Sequence, residues 1–238
     1  MPSVRATINR EIFRGMLFSM GATAVAMGRL GVPRETIWSF AKLASRNLCR
    51  MVGVGVTVRG ADLVERGGPF VFTPNHQSHF DIAALLAWLP GHARFASKKE
   101  LFDEPILGQV MRTMGMIPVD RDDPMRSIDV LNRAVEKGHS LIIFPEGTRS
   151  RDGSLLPFKK GAFVAAIHMK RPIVPVIVKG SRERMPKGSY LAIEPGPMEI
   201  VMKPPIPTDG LEYGDRDSLL DAVRAIIAEE FDKPIVED

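Results

Sequence analysis

The sequence predicts an α/β fold, a sheet flanked by helices behind an N-terminal helical pair, and three observations carry that reading. From Val54 onward, short apolar runs alternate with amphipathic segments of helical period. One run, Leu141-Ile142-Ile143-Phe144, is apolar throughout, as strands covered on both faces of a parallel sheet are. Before Val54 the patterning is helical, broken at Gly31-Val32-Pro33. At 238 residues the chain has the length for one sizeable core plus such an appendage. We divide it into a helical pair, residues 1–52, and a main α/β domain, residues 53–238.

In the first helix, fourteen uncharged residues run from Gly15 to Gly28, between Arg14 and Arg29. That falls short of the roughly 20 apolar residues a membrane span needs, and it suits an interfacial or re-entrant helix. A basic start before an apolar run also fits a signal peptide, but the small-residue cleavage pattern is weak. The second helix begins near Glu35-Thr36. Lys42, Arg46 and Arg50 recur every four residues as one basic stripe. Ile37, Phe40, Leu43, Ala44, Leu48 and Met51 supply apolar surface, and Trp38 suits an anchor at headgroup level. These features favour attachment to a membrane surface over a hairpin packed only on its own domain.

In the main domain, residues 54–58 and 70–73 read as strands, the second leading into a helix that starts near Ser78. Residues 93–97 form a third strand, followed by a helix over 100–114 and a short extended segment over 116–119. Residues 127–137 make an amphipathic helix stopped by Gly138. The central strand follows over 140–144, then a helix over 161–169 and a strand over 173–178. Residues 190–193 and 198–202 read as strands near a sheet edge, and 216–231 as a closing amphipathic helix.

The formal net charge is +4, yet residues 1–60 hold nine Lys and Arg against Glu11 and Glu35, a local balance of +7. The remainder balances to −3. Such an excess points to an anionic surface, membrane or nucleic acid. The absence of aromatic interleaving and of nucleic-acid motifs argues against the second. A single cysteine, Cys49, excludes an internal disulfide and fits a reducing compartment.

The chemistry gathers around Asn75-His76-Gln77-Ser78-His79-Phe80-Asp81. An imidazole at a strand end and a carboxylate in the next first turn come within hydrogen-bond reach. The carboxylate then fixes one ring N–H and leaves the other nitrogen to take a proton. That is half of a nucleophilic triad, and no G-x-S-x-G elbow supplies a hydroxyl. The hydroxyl is therefore expected on a substrate. Ser78-x-x-Asp81 also fits a capping box in which Asp81 serves only backbone N–H groups. His76-x-x-His79 invites a metal reading, but no third ligand with suitable context is visible, and His79 is read as non-catalytic.

Phe144-Pro145-Glu146-Gly147-Thr148-Arg149-Ser150 follows the central strand as His76 follows its own. In open α/β sheets, ligands bind beyond the carboxyl ends of strands. Arg149 is a forked cation suited to phosphate, and Gly147 permits close backbone approach. The alternative is a tight loop in which Glu146 pairs with Arg149. Lys98 and Lys99 end another strand, and Arg121 follows the next helix, adding cations where a phosphate would sit.

In this order and spacing, the segments resemble the 1-acyl-sn-glycerol-3-phosphate acyltransferase family, within the wider glycerolipid acyltransferase group. N-H-x-x-x-x-D matches Asn75-His76 to Asp81, and F-P-E-G-T-R-S matches Phe144 to Ser150. A second motif resembles Lys98-Lys99-Glu100-Leu101 with Pro105, Gly108, Gly115 and Asp120-Arg121, and a fourth Ile173-Val174-Pro175-Val176. The resemblance covers roughly residues 54–205. It implies a glycerolipid-acyltransferase-like mixed sheet flanked by helices, with the N-terminal pair similar in character to a membrane-docking element.

The resemblance further implies His76 as general base and Asp81 as its orienting partner. The base takes the proton from the free hydroxyl of a lysophosphatidate, which attacks the thioester of acyl-CoA or acyl-carrier protein and gives phosphatidic acid. Glu146, Gly147, Thr148 and Arg149 are expected to line the acceptor site, with Arg149 on the phosphate and Lys98 and Arg121 as further phosphate contacts. No metal is expected, and no cofactor beyond the thioester co-substrate. The expected partners are a membrane lipid surface at the cytoplasmic face, the lysophospholipid acceptor and the donor, with no nucleic acid. Alternatives that keep these motifs are another acceptor (glycerol 3-phosphate, another lysophospholipid or a lyso-aminolipid) or a non-catalytic lipid-binding protein.

Overall fold

The computed structural model describes residues 4–186 and 192–236. Helices α1 (Val4–Arg29) and α2 (Arg34–Met51) come first. The strands are β1 (Val54–Arg59), β2 (Val71–Pro74), β3 (Arg94–Lys98), β4 (Ile117–Val119), β5 (Leu141–Ile142), β6 (Ile173–Lys179) and β7 (Gly196–Met202). Helices α3 (Phe80–Trp88), α4 (Leu107–Met114), α5 (Pro124–Glu136), α6 (Gly161–Met169), α7 (Ser181–Arg184) and α8 (Arg216–Phe231) connect or flank them.

The sheet has the order β1-β7-β6-β2-β5-β3-β4. The block β6-β2-β5-β3-β4 is parallel, while β7 runs antiparallel to β6 and parallel to β1, so the sheet is mixed. Five neighbouring strands thus present their carboxyl ends along one edge, where ligands of such sheets bind.

Each face of the sheet has its own core. Along β6, Val174, Val176 and Val178 enter the core shared with α2 and α3, while Ile173 and Ile177 enter the core shared with α5, α6 and α8. Burial on both faces explains the unbroken apolar run, and each such side chain contributes roughly 1.5–3 kcal/mol of transfer free energy.

The N-terminal helices are built into this packing. Asn9 is buried and donates to the carbonyls of Val52 (2.9 Å) and Ile193 (3.0 Å). Phe13 stacks on Phe80 with ring centroids 5.7 Å apart. Gly28 lets α1 approach α4 closely, since a Cβ there would stand 2.8 Å from Cγ2 of Thr113.

Trp38 is not a headgroup anchor: it is 2 % exposed, its Nε1 donates to Met114 O at 2.6 Å, and the Arg94 guanidinium lies 4.7 Å over its ring. Two members of the basic stripe are also engaged. Lys42 donates to Leu89 O (2.6 Å) and Gly91 O (3.0 Å), and Arg46 to Ala87 O (3.0 Å). They satisfy carbonyls at the end of α3, where the backbone lacks partners and the helix dipole favours cations.

The segment 100–114 is not one helix. A 3-10 turn spans Lys99–Phe102, Pro105 interrupts, and α4 starts only at Leu107. The central strand is shorter than its apolar run. Ile143 N still donates to Phe72 O (3.0 Å), but beyond it the chain leaves the sheet to build a loop. Of the strand read over 190–193, Tyr190 and Leu191 lie outside the described residues, and Ala192 and Ile193 are irregular.

Candidate active site

Asn75 starts the site by imitating a strand residue. Its buried side chain accepts from Val178 N (2.7 Å) and donates to Val178 O (2.9 Å), carrying the β2–β6 pairing past Pro74. This fixes where His76 leaves the sheet. Asp81, in the first turn of α3 and fully buried, then gathers three donors on Oδ2: Gln77 N (2.8 Å), Ser78 N (2.9 Å) and His76 Nδ1 (2.8 Å). Serving backbone N–H groups and orienting the ring, alternatives at the level of sequence, are one arrangement here. A buried carboxylate at Nδ1 assigns the proton to that nitrogen and leaves Nε2 as the acceptor. The imidazole lies on the Phe144 ring, with centroids 3.9 Å apart and planes at 21°.

The loop after β5 holds the main chain of His76 from both sides. Glu146 is 2 % exposed, and its Oε1 accepts from His76 N at 2.6 Å while Oε2 accepts from Leu156 N at 3.0 Å. Burial pushes its carboxyl up to about 7, against the opposing pull of those two N–H groups. Ser150 N in turn donates to His76 O at 2.9 Å. Gly147 sits at the turn of this loop with φ +66, a conformation that favours glycine. A Cβ there would meet the Arg121 guanidinium, whose Nη2 donates to Gly147 O at 2.8 Å.

Thr148 is exposed and Arg149 half-buried. Burial, then the charge of Arg149, push the His79 imidazole down to about 4, so His79 is neutral at physiological pH. Lys98 is exposed at the end of β3, whereas Lys99 is paired with Asp120 at 2.6 Å. His76, the 144–150 loop, Lys98 and Arg121 therefore follow the ends of adjacent parallel strands β2, β5, β3 and β4, about 4.8 Å apart in the sheet. Cys49 is buried in the core, where desolvation pushes its thiol up to about 12. Among the described residues no group of three or more His, Cys, Asp or Glu is placed to hold a metal ion.

Three roles were not visible in the sequence: Phe144 as the platform under the imidazole, Glu146 as a main-chain clamp, and Asn75 as a strand mimic. Each depends on a partner about 70 to 100 residues away, which no local periodicity reports. The available signal was position, since all three sit at strand ends next to the imidazole or its loop.

The structure thus places a carboxylate-oriented imidazole at the carboxyl edge of an α/β sheet with cations nearby, an arrangement chemically able to take a proton from a hydroxyl held near an anionic group. Residues 55–179 match the family model described as Acyltransferase, and the chain belongs to that family. It is 42% identical over 165 residues to the chloroplastic 1-acyl-sn-glycerol-3-phosphate acyltransferase BAT2 of Brassica napus, covering 68% of this chain and 46% of that protein. It is 29% identical over 227 residues to the alpha 1-acyl-sn-glycerol-3-phosphate acyltransferase of Ovis aries, covering 94% and 79%. The crystal structure of the 1-acyl-sn-glycerophosphate acyltransferase PlsC from Thermotoga maritima superposes with a TM-score of 0.80 at 23% identity, covering both chains in full, and so shares the fold. The chain spans slightly less than half the length of the chloroplastic relatives of Brassica napus and Arabidopsis thaliana.

Proposed function

We propose that the protein transfers an acyl chain from acyl-CoA or acyl-carrier protein to the free hydroxyl of 1-acyl-sn-glycerol 3-phosphate, giving phosphatidic acid. The observation that carries this reading is the 2.8 Å contact between His76 Nδ1 and the buried Asp81. His76 Nε2 takes the hydroxyl proton as the oxygen attacks the thioester carbonyl. The tetrahedral intermediate collapses, the C–S bond breaks, and the imidazolium returns the proton to the departing thiolate. No acyl-enzyme and no cofactor beyond the donor are needed. General-base assistance contributes about 10²–10⁴-fold, and positioning with oxyanion stabilisation supplies the remainder. Arg149, Lys98 and Arg121 receive the acceptor phosphate, and Glu146 acts by holding the loop that presents Gly147, Thr148 and Arg149 to it.

The setting we propose is the cytoplasmic face of the cell membrane. No described helix is long and apolar enough to cross a membrane. Instead α1 exposes Val4, Ile8, Leu17 and Phe18, and α2 exposes Leu43 and Met51. An open groove between them is lined by Met16, Met20, Phe40 and Leu43 among others. An apolar helical surface edged with arginine supports attachment in the interfacial plane.

A matrix of donors and acceptors on the purified chain tests the reaction. Phosphatidic acid should form from lysophosphatidate and at least one thioester donor, with removal of the acceptor phosphate lowering turnover at least tenfold. Equal use of a phosphate-free acceptor, or no transfer at all, contradicts the proposal.

A further inference from the structure

We propose that Arg182 and Arg151 form an anion site for the phosphate on the donor's phosphopantetheine arm, on the β6 side of His76. The inference rests on the acyltransferase reading and adds where the second phosphorylated substrate is held. Two anionic substrates must meet at one imidazole, and their phosphates repel each other unless separate cations receive them. The acceptor phosphate is assigned to Arg149, Lys98 and Arg121, toward β5, β3 and β4. β6 lies on the opposite side of β2.

Beyond the carboxyl end of β6, Gly180 (φ +83) turns the chain into α7, which carries Arg182. The Arg182 side chain lies across Gly153 (φ +93), where a Cβ would stand 3.0 Å from its Cδ and 3.2 Å from its Nε. That loop is tied to the catalytic segment. Gly153 N donates to Ser150 Oγ (3.0 Å), Ser150 N to His76 O (2.9 Å), and Gln77 Nε2 to Ser154 O (3.5 Å). Arg182 therefore stands beside the site across a single loop, which also carries the exposed Arg151, whose carbonyl meets Arg182 Nη2.

Their charge is uncompensated. Arg182 makes one long hydrogen bond, Nη2 to Arg151 O at 3.5 Å, and its Nε is buried without a partner. Neither arginine makes an ion pair among the described residues. The acid between them in sequence, Asp152, turns away to accept from Ser150 Oγ (3.0 Å), Ser154 N (3.0 Å) and Ser154 Oγ (2.7 Å). Other cations on this flank are spent, Arg184 on Pro195 O and Lys179 on Glu199. A half-buried guanidinium without a counter-ion is costly, and its fork matches a phosphate.

The test uses the full chain on neutral phosphatidylcholine vesicles with lysophosphatidate and three donors: acyl-CoA, acyl-carrier protein and acyl-pantetheine, a thioester without phosphate. Arg182→Gln should raise the KM of both phosphate-bearing donors about tenfold or more, and leave the KM of lysophosphatidate and of acyl-pantetheine unchanged. Arg151→Gln should act in the same direction, and Arg182→Lys should retain part of the affinity, which covers a poorly folding glutamine variant. The site is overturned by unchanged donor KM values, by an equal rise with acyl-pantetheine, by a rise confined to one of the two phosphate-bearing donors, or by a rise in the acceptor KM. It is also overturned if the effect appears only when phosphatidylglycerol is added, which would assign the arginines to lipid headgroups. A wild-type chain that transfers no acyl group from any donor overturns the acyltransferase reading itself, a result distinct from an active enzyme indifferent to Arg182.

Discussion

His76 is fixed at four points: Asp81 at Nδ1, Glu146 at its N–H, Ser150 at its carbonyl and Phe144 under its ring. In the proposed reaction, an imidazole held this way needs little reorganisation at the moment of proton transfer. All three donors share Oδ2 of Asp81, so Asp81→Asn can keep them only by placing its amide oxygen there, and it then lacks the charge that stabilises the imidazolium. The ring is left a weaker base. We expect kcat to fall about 10²–10⁴-fold with the fold retained, the range that general-base help contributes. Steady-state kinetics beside a circular dichroism spectrum check this, and turnover within tenfold of wild type would refute the orienting role. The pair itself was legible, because a five-residue spacing across a strand end and a helix start brings the two groups together. The Glu146 clamp was not legible. A carboxylate in a loop of cations reads as an ion-pair partner, and only the fold shows that its oxygens face the backbone of another strand's end.

At the scale of elements, β1, β6, β7 and α8 are joined by a charge network around two buried carboxylates. Glu199 and Glu230 lie among Arg59, Lys179, Lys203 and Lys233, with Arg59–Glu199 and Lys203–Glu230 both at 2.6 Å. Burial alone would raise the Glu230 carboxyl, but hydrogen bonds from Lys203, Arg59 and Lys233 outweigh it and bring the group down to about 2. Its folded value lies below the ordinary 4.5, so it stabilises the fold above that pH, and the contribution fades as pH falls toward 2. Glu230→Gln removes charge-assisted hydrogen bonds from part-exposed cations and should cost about 1.5–3 kcal/mol near neutrality. Thermal melts between pH 7 and pH 3 should show a smaller acid-dependent loss in this variant than in wild type, and parallel curves would count against the network's role. The strands flanking it were readable from β-branched runs, as was α8 from its amphipathic pattern. The boundaries of α4 and β5 were not, because Pro105 and the departure of the chain after Ile143 override local apolar pattern. Lys42 and Arg46 misled for a related reason, since a basic stripe looks the same whether it meets lipid or the end of another helix.

Across the whole molecule, the N-terminal helices serve two surfaces at once. Ile37, Trp38, Ala41 and Leu48 complete a core of the α/β part, so removing residues 1–50 would strip that core as well as any docking surface. Outward-facing substitutions separate the two. Phe18→Glu combined with Leu43→Glu should reduce co-sedimentation with anionic vesicles at least tenfold and leave the unfolding midpoint near wild type. Undiminished sedimentation would contradict docking through this face. Sheet edge, helices and clamped loop all converge on one imidazole, and a single measurement tests that convergence most directly: phosphatidic acid formation by purified His76→Ala under saturating substrates. Turnover should fall by about 10²–10⁴-fold or more while the unfolding midpoint and vesicle binding hold. Near wild-type turnover in a folded, membrane-bound variant would contradict it.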